Sequence, residues 1–150
     1  MGAEHSPFIS YLTVKDPREA IAFYEKTLPN AKCEMILDGP GGSVMHAEMT
    51  VNGARMMISG AWPGIAEPHD GISPVNFMLY VDDADAAYEH AIKNGMTSAF
   101  EPSDQFWGDR SAAVLDPYGF RWTFGHQVED VAPDELAKRA AEFTKQMAQG

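Results

Sequence analysis

Residues 106–122 decide the fold: Phe106-Trp107-Gly108-Asp109-Arg110, then Ser111-Ala112-Ala113-Val114-Leu115, then Asp116-Pro117-Tyr118-Gly119, then Phe120-Arg121-Trp122. The small and apolar middle run suits a strand. Asp116-Pro117-Tyr118-Gly119 is a reverse turn: Pro117 presets φ at the second position, and Gly119 serves a position that favours φ > 0. The aromatic run after it, from Phe120 to Phe124, suits a returning strand. The stretch is therefore a hairpin, preceded by a loop that carries two aromatics and two opposite charges. Upstream, the chain repeats a looser version of the same layout.

Working backwards and outwards, Phe8 to Val14 is rich in aromatic and β-branched residues and reads as a strand. It stops at Asp16-Pro17-Arg18-Glu19, where Asp16 caps a helix, Pro17 takes its first position and Glu19 closes a capping box. Ala20, Ile21, Phe23, Tyr24 and Leu28 form its apolar stripe, ended by Pro29-Asn30. Strands are predicted over Lys32–Leu37, Val44–Val51 and Ala54–Ser59. Asp38 to Gly42 is a turn or mobile loop, and Asn52-Gly53 is a hairpin signal.

Residues 61–73 lack periodicity and read as a linker. The order then restarts: a strand over Val75–Val81, a cap at Asp82-Asp83, a helical stripe through Ala84, Ala87, Tyr88, Ala91 and Ile92, and Gly95 to end it. Strands over Met96–Phe100, Arg110–Leu115 and Phe120–Gln127 complete the unit. Corresponding landmarks lie about 65 residues apart. The expectation is a single α+β domain of two tandem βαβββ modules, residues 8–60 and 74–127, with a third helix over 133–147.

The chain has 150 residues, 45% apolar and 22% charged, which places it among ordinary globular domains. A net charge of −11, with only 11 Lys and Arg, argues against nucleic acid and against an anionic membrane surface. Cys33 is the one cysteine, so neither an internal disulfide nor a Cys-based metal cluster can form. With no long apolar run and no signal-peptide pattern at the start, a cytoplasmic location is expected. Met1 to Ser6 matches the N-myristoylation pattern, a short and common one, and is read instead as a polar, frayed terminus.

The tandem βαβββ layout, Phe23-Tyr24 in the helix after the Val14-Lys15-Asp16 joint, and Asp116-Pro117-Tyr118-Gly119 resemble the vicinal oxygen chelate superfamily. That superfamily includes glyoxalase I, extradiol dioxygenases and bleomycin-resistance proteins. Trp107-Gly108-Asp109-Arg110, His46-Ala47-Glu48 and Glu129-Asp130-Val131-Ala132-Pro133 resemble its PhnB-like branch more narrowly. The resemblance spans residues 8–127. It implies curved, mostly antiparallel half-barrel sheet around a cavity, helices outside, and a homodimer.

Metal-dependent members place one ligand on the first and one on the last strand of each module. Those positions fall here at Ile9, Met57, Asn76 and Thr123, none of them His, Glu, Asp or Cys. A divalent site needs three or four such donors, so no metal and no other cofactor is expected. No Gly-x-Ser-x-Gly, Walker loop or dinucleotide fingerprint is present, and no catalytic residue is assigned.

Strand alternation then sets the cavity face. With Ile9 inward go Tyr11 and Thr13; with Asn76 go Met78 and Tyr80; with Met57 go Arg55 and Ser59; with Thr123 goes Arg121. The opposite faces carry Leu12, Val14, Met56, Ile58, Phe77, Leu79, Trp122 and Phe124, all apolar, as a helix-covered face requires. On the His46 strand, Ala47, Met49 and Val51 take the apolar face, which turns His46 and Glu48 inward. Trp107 can stack on a flat ligand or pack on a partner subunit. Arg110 can meet an anionic group, pair with Asp109, or stand as a surface ion pair.

The candidate ligand-binding set is Tyr11, His46, Glu48, Met57, Asn76, Tyr80, Trp107, Arg110 and Thr123. The function expected is metal-free binding of an aromatic or polar small molecule, by sequestration or sensing. The alternative is a lyase- or dioxygenase-like enzyme that uses a displaced metal at His46 and Glu48, or Glu48 as a base.

Overall fold

The computed structural model describes residues 6–64 and 67–150. The N-terminal reading of residues 1–5 and the linker residues 65 and 66 lie outside the described residues. Each module runs strand, helix, strand, strand, strand. The first holds β1 (Ser10–Thr13), α1 (Pro17–Thr27), β2 (Lys32–Asp38), β3 (Val44–Val51) and β4 (Ala54–Ser59). The second holds β5 (Asn76–Tyr80), α2 (Ala84–Lys93), β6 (Thr97–Asp104), β7 (Asp109–Leu115) and β8 (Arg121–Gln127). Helix α3 (Pro133–Gln149) follows. No described helix is long and apolar enough to cross a membrane.

The strands form two separate four-stranded sheets of matching order, β1-β4-β3-β2 and β5-β8-β7-β6. The β1–β4 and β5–β8 pairs are parallel, and all others are antiparallel. Local chemistry explains the joints. The Asp16 carboxylate accepts the Glu19 N–H at 3.1 Å, and Asp83 accepts the Ala86 N–H at 3.1 Å, so each module's helix begins on an aspartate cap. Asn52 and Gly53 both take positive φ, 51° and 83°, as a two-residue hairpin turn requires.

Strand β6 runs on to Asp104, past the Phe100 end expected from sequence, and it contains Pro102. It is an edge strand whose pairing with β7 shifts register between Phe100 and Ser103. A bulge on an edge is where proline's missing N–H costs least.

The apolar faces turn out as alternation requires. Leu12, Val14, Met49, Met56, Ile58, Trp122 and Phe124 are buried in one core shared by both modules. The modules are joined there by Tyr24 of α1, which is fully buried against the Trp122 ring at 5.3 Å between centroids.

Asp116 fastens the junction. Its Oδ1 accepts the N–H groups of Tyr118 (2.9 Å) and Phe120 (2.8 Å). Its Oδ2 accepts the Tyr24 hydroxyl (2.6 Å) and the Trp122 indole N–H (2.9 Å). Burial first, and then the Asp116 carboxylate, push the Tyr24 hydroxyl far above its ordinary range, so it stays a donor. Gly119 closes the turn at φ +88°, where an added Cβ would run into the Gly71 carbonyl and come within 2.7 Å of His69 Nε2.

Candidate functional site

The faces away from the core carry the polar and aromatic candidates, in two groups. On the first sheet, Tyr11 lies opposite Met57, and Met57 opposite Glu48, across β1-β4-β3. The Tyr11 hydroxyl meets His46 Nδ1 at 2.9 Å, and His46 Nε2 lies 3.4 Å from Glu48 Oε1. Arg55 donates to Glu48 Oε2. A tautomer with the proton on Nε2 suits both contacts: it donates to the carboxylate and leaves Nδ1 to accept the tyrosine hydroxyl.

Glu48 is buried, 6% exposed. Burial raises its pKa, but the hydrogen bonds from His46 and Arg55 together outweigh that and hold the carboxyl below its usual range.

On the second sheet, Met78 lies opposite Thr123, and Thr123 opposite Ala113. A cleft of about 470 Å³ opens over this face, lined by Met78, Phe100, Ser103, Gln105, Trp107, Ser111, Arg121 and Thr123. Trp107 is 42% exposed, with its indole N–H given to Asp109 Oδ2 at 3.2 Å. The same carboxylate oxygen accepts the Tyr80 hydroxyl at 2.9 Å, and that bond raises the Tyr80 pKa.

The loop holding Trp107 is braced from behind. Gly108 gives its carbonyl to the N–H groups of Val128 (2.8 Å) and Glu129 (3.0 Å). Arg139 of α3 donates to the Phe106 carbonyl at 3.1 Å and to Glu129, and Phe143 packs on the Phe106 ring at 5.1 Å. Trp-Gly-Asp-Arg thus reads as a wall residue, a close approach, an anchor for the wall, and a strut.

The strut is Arg110, which points to the other side of β7 from Ser111. Its guanidinium holds Asp85 of α2 through two bonds of 2.6 and 2.9 Å and reaches Asp104 at 3.1 Å. It is matched to those two acids, while Asp109 serves Tyr80 and Trp107.

The nine sequence candidates therefore divide. Tyr11, His46, Glu48 and Met57 gather on the first sheet; Tyr80, Trp107 and Thr123 gather on the second, with Asn76 exposed at the start of β5 and Arg110 turned to the far side of β7. Helices α1 and α2 touch each other between the modules, and Tyr24 of α1 reaches Trp122 of β8. Sequence reasoning turned Arg121 inward through its parity with Thr123 but missed its place over the Phe100 ring, 5.2 Å from Cζ to centroid. It also missed Phe100, Ser103, Gln105 and Ser111. Phe100 and Ser103 flank the β6 bulge, and a bulge breaks the alternation from which a face is read.

A divalent metal, which the fold family implies, does not fit these side chains. The inherited positions offer an aliphatic chain, a thioether, an amide and a hydroxyl. Among the described residues no group of three or more His, Cys, Asp or Glu gathers to hold an ion. In the His46–Glu48 pair both carboxylate oxygens are taken, one of them by a cation, Arg55. A second groove, of about 370 Å³, lies between residues 68–72 and the Asp116–Gly119 turn, but the Asp116 carboxylate in it is already bound by four donors.

Known proteins agree with this architecture. The model of the Glyoxalase/Bleomycin resistance protein/Dioxygenase superfamily matches residues 7–124. A Mycobacterium bovis protein, Mb0911c, is 33% identical over 132 residues, covering 84% of this chain and 86% of its own. TioX from Micromonospora sp. ML1 superposes with a TM-score of 0.68 at 20% identity, over 83% of this chain and 99% of TioX. A PhnB protein from Bacillus cereus gives a TM-score of 0.64 at 14% identity, over 81% and 99%. At these identities the two structures speak for the fold alone. The family model covers most of the chain, and the chain belongs to the glyoxalase/bleomycin resistance protein/dioxygenase superfamily.

Proposed function

We propose that this protein binds a small aromatic or polar molecule on its concave sheet faces, without a metal ion, and sequesters or senses it. The observation that carries this reading is the cleft over the second sheet. Trp107, Phe100 and Met78 give it flat and soft apolar walls, and Ser103, Ser111 and Thr123 give it hydroxyls that can take either hydrogen-bond role. A braced Trp107 loop fits such a site, because a wall that is ordered beforehand spends less entropy on binding.

A homodimer goes with this reading. Tyr11, Leu37, Met78 and Tyr80 are all at least 43% exposed, and a second copy's sheet laid against them would cover the ligand.

The enzymatic alternative rests on Tyr11, His46 and Glu48, which do form a hydrogen-bonded chain. Glu48 within it is a depressed carboxylate clamped by Arg55, and so a weak proton acceptor. The chain reads better as a rigid polar wall than as a base.

A thermal-shift screen with aromatic antibiotics and hydroxyaromatic metabolites, run with and without chelator, tests the proposal. A ligand at a hundred times its Kd adds about 2.7 kcal/mol of stability. The expected result is a clear rise in Tm with one chemical class, equal in chelator. No rise with any compound, or a rise abolished by chelator, would count against it.

A further inference from the structure

We propose that Arg121 reads an anionic group, and that the cleft over the second sheet takes flat aromatic carboxylates. This rests on the ligand-binding reading above and narrows it to a chemical class. The chain has five arginines, and four are matched to acids: Arg18 to Asp38, Arg55 to Glu48, Arg110 to Asp85 and Asp104, Arg139 to Glu129 and Glu135.

Arg121 differs. Its neighbours across the sheet are Asn76 and Leu115, both uncharged. Its Nε is buried and has no acceptor among the described residues. In a chain with twice as many acids as bases, a guanidinium with no carboxylate beside it is the exception.

Its position is set by stacking rather than by a salt bridge. The guanidinium lies over the Phe100 ring at 5.2 Å, and both residues line the cleft that Trp107 and Met78 wall. A guanidinium held in this way keeps its planar fork of donors for an incoming carboxylate, which it can grip through two parallel bonds. Nε itself is covered, so a carboxylate meets the fork at its terminal Nη groups, which have no acceptor among the described residues and are not buried. The aromatic body of such a ligand would lie against Trp107 and Met78.

Isothermal titration with 2-naphthoate and 2-naphthamide, which share one ring system and differ in charge, tests this on the full chain. Wild type should bind the acid roughly tenfold to a hundredfold more tightly than the amide. Arg121→Gln should abolish that preference, bringing acid and amide to about equal affinity, and Arg121→Lys should keep part of it. Should Arg121→Gln not fold, the wild-type ratio alone decides.

Equal affinities in wild type, or a preference that survives Arg121→Gln, would overturn the assignment while ligand binding stands. Loss of the dimer in Arg121→Gln, read by sedimentation, would overturn it too, since Arg121 would then serve a subunit contact. Failure of both probes to bind also overturns it, and the broader reading then stands or falls on the thermal-shift screen.

Discussion

Asp116→Ala should lose about 3–5 kcal/mol of stability, a large share of the ~5–15 kcal/mol that holds a domain of this size. The size follows from the number of donors that one carboxylate satisfies. Two are backbone N–H groups of its own turn, and two are the Tyr24 hydroxyl and the Trp122 indole in the core. Removing the acceptor leaves several buried donors unpaired at roughly 1–3 kcal/mol each, partly relieved where water can enter.

Asp116→Asn should lose less, about 1–3 kcal/mol. The amide keeps one oxygen for the two backbone N–H groups, and the Tyr24 hydroxyl can turn to accept, but the Trp122 N–H cannot. Urea unfolding followed by tryptophan fluorescence measures both. An Asp116→Ala protein within ~1 kcal/mol of wild type would show that the modules are not fastened there.

Gly108→Ala is the second large effect, about 2–4 kcal/mol, with a loss of ligand binding alongside. Gly108 sits at φ +102°, a conformation that strains any side chain. An added Cβ would also run into the Glu129 carbonyl and come within 2.9 Å of Val131 Cγ2. To relieve that, the Phe106–Asp109 loop must lift from residues 128–131, and Trp107 moves with it.

Gly53→Ala separates the two causes. Gly53 has a similar φ of +83° with nothing within 4 Å, so it should lose only about 1 kcal/mol from strain. If Gly108→Ala is no worse than Gly53→Ala in urea and still binds 2-naphthoate as wild type does, the bracing of the Trp107 wall is wrong.

Local patterns made most of the fold legible, because they are written over a few neighbouring residues. Alternation along Tyr11–Val14, Met56–Ile58 and Ala47–Val51 placed the core faces, and Asp16, Asp83 and Asn52-Gly53 marked element ends. What stayed hidden is set by residues far apart in the chain.

Asp116 looked like a turn residue, yet one of its partners, Tyr24, lies 92 positions away. Arg110 stood next to Asp109 in sequence, yet β7 sends the two side chains to opposite faces, and Arg110 finds Asp85, 25 positions earlier. Alternation tells which face a residue takes but not what waits there. For the same reason it could turn Tyr11, His46, Glu48 and Thr123 all toward one cavity, without showing that they stand on two separate sheets.

On the function proposed above, ligands are held by stacking, shape and hydrogen bonds, because the side chains at the inherited chelating positions cannot grip an ion. Inductively coupled plasma mass spectrometry on protein purified without a histidine tag tests it most directly. The expected content of zinc, nickel, manganese and iron is far below one ion per chain. One ion per chain, lost together with 2-naphthoate binding on chelation, would contradict it.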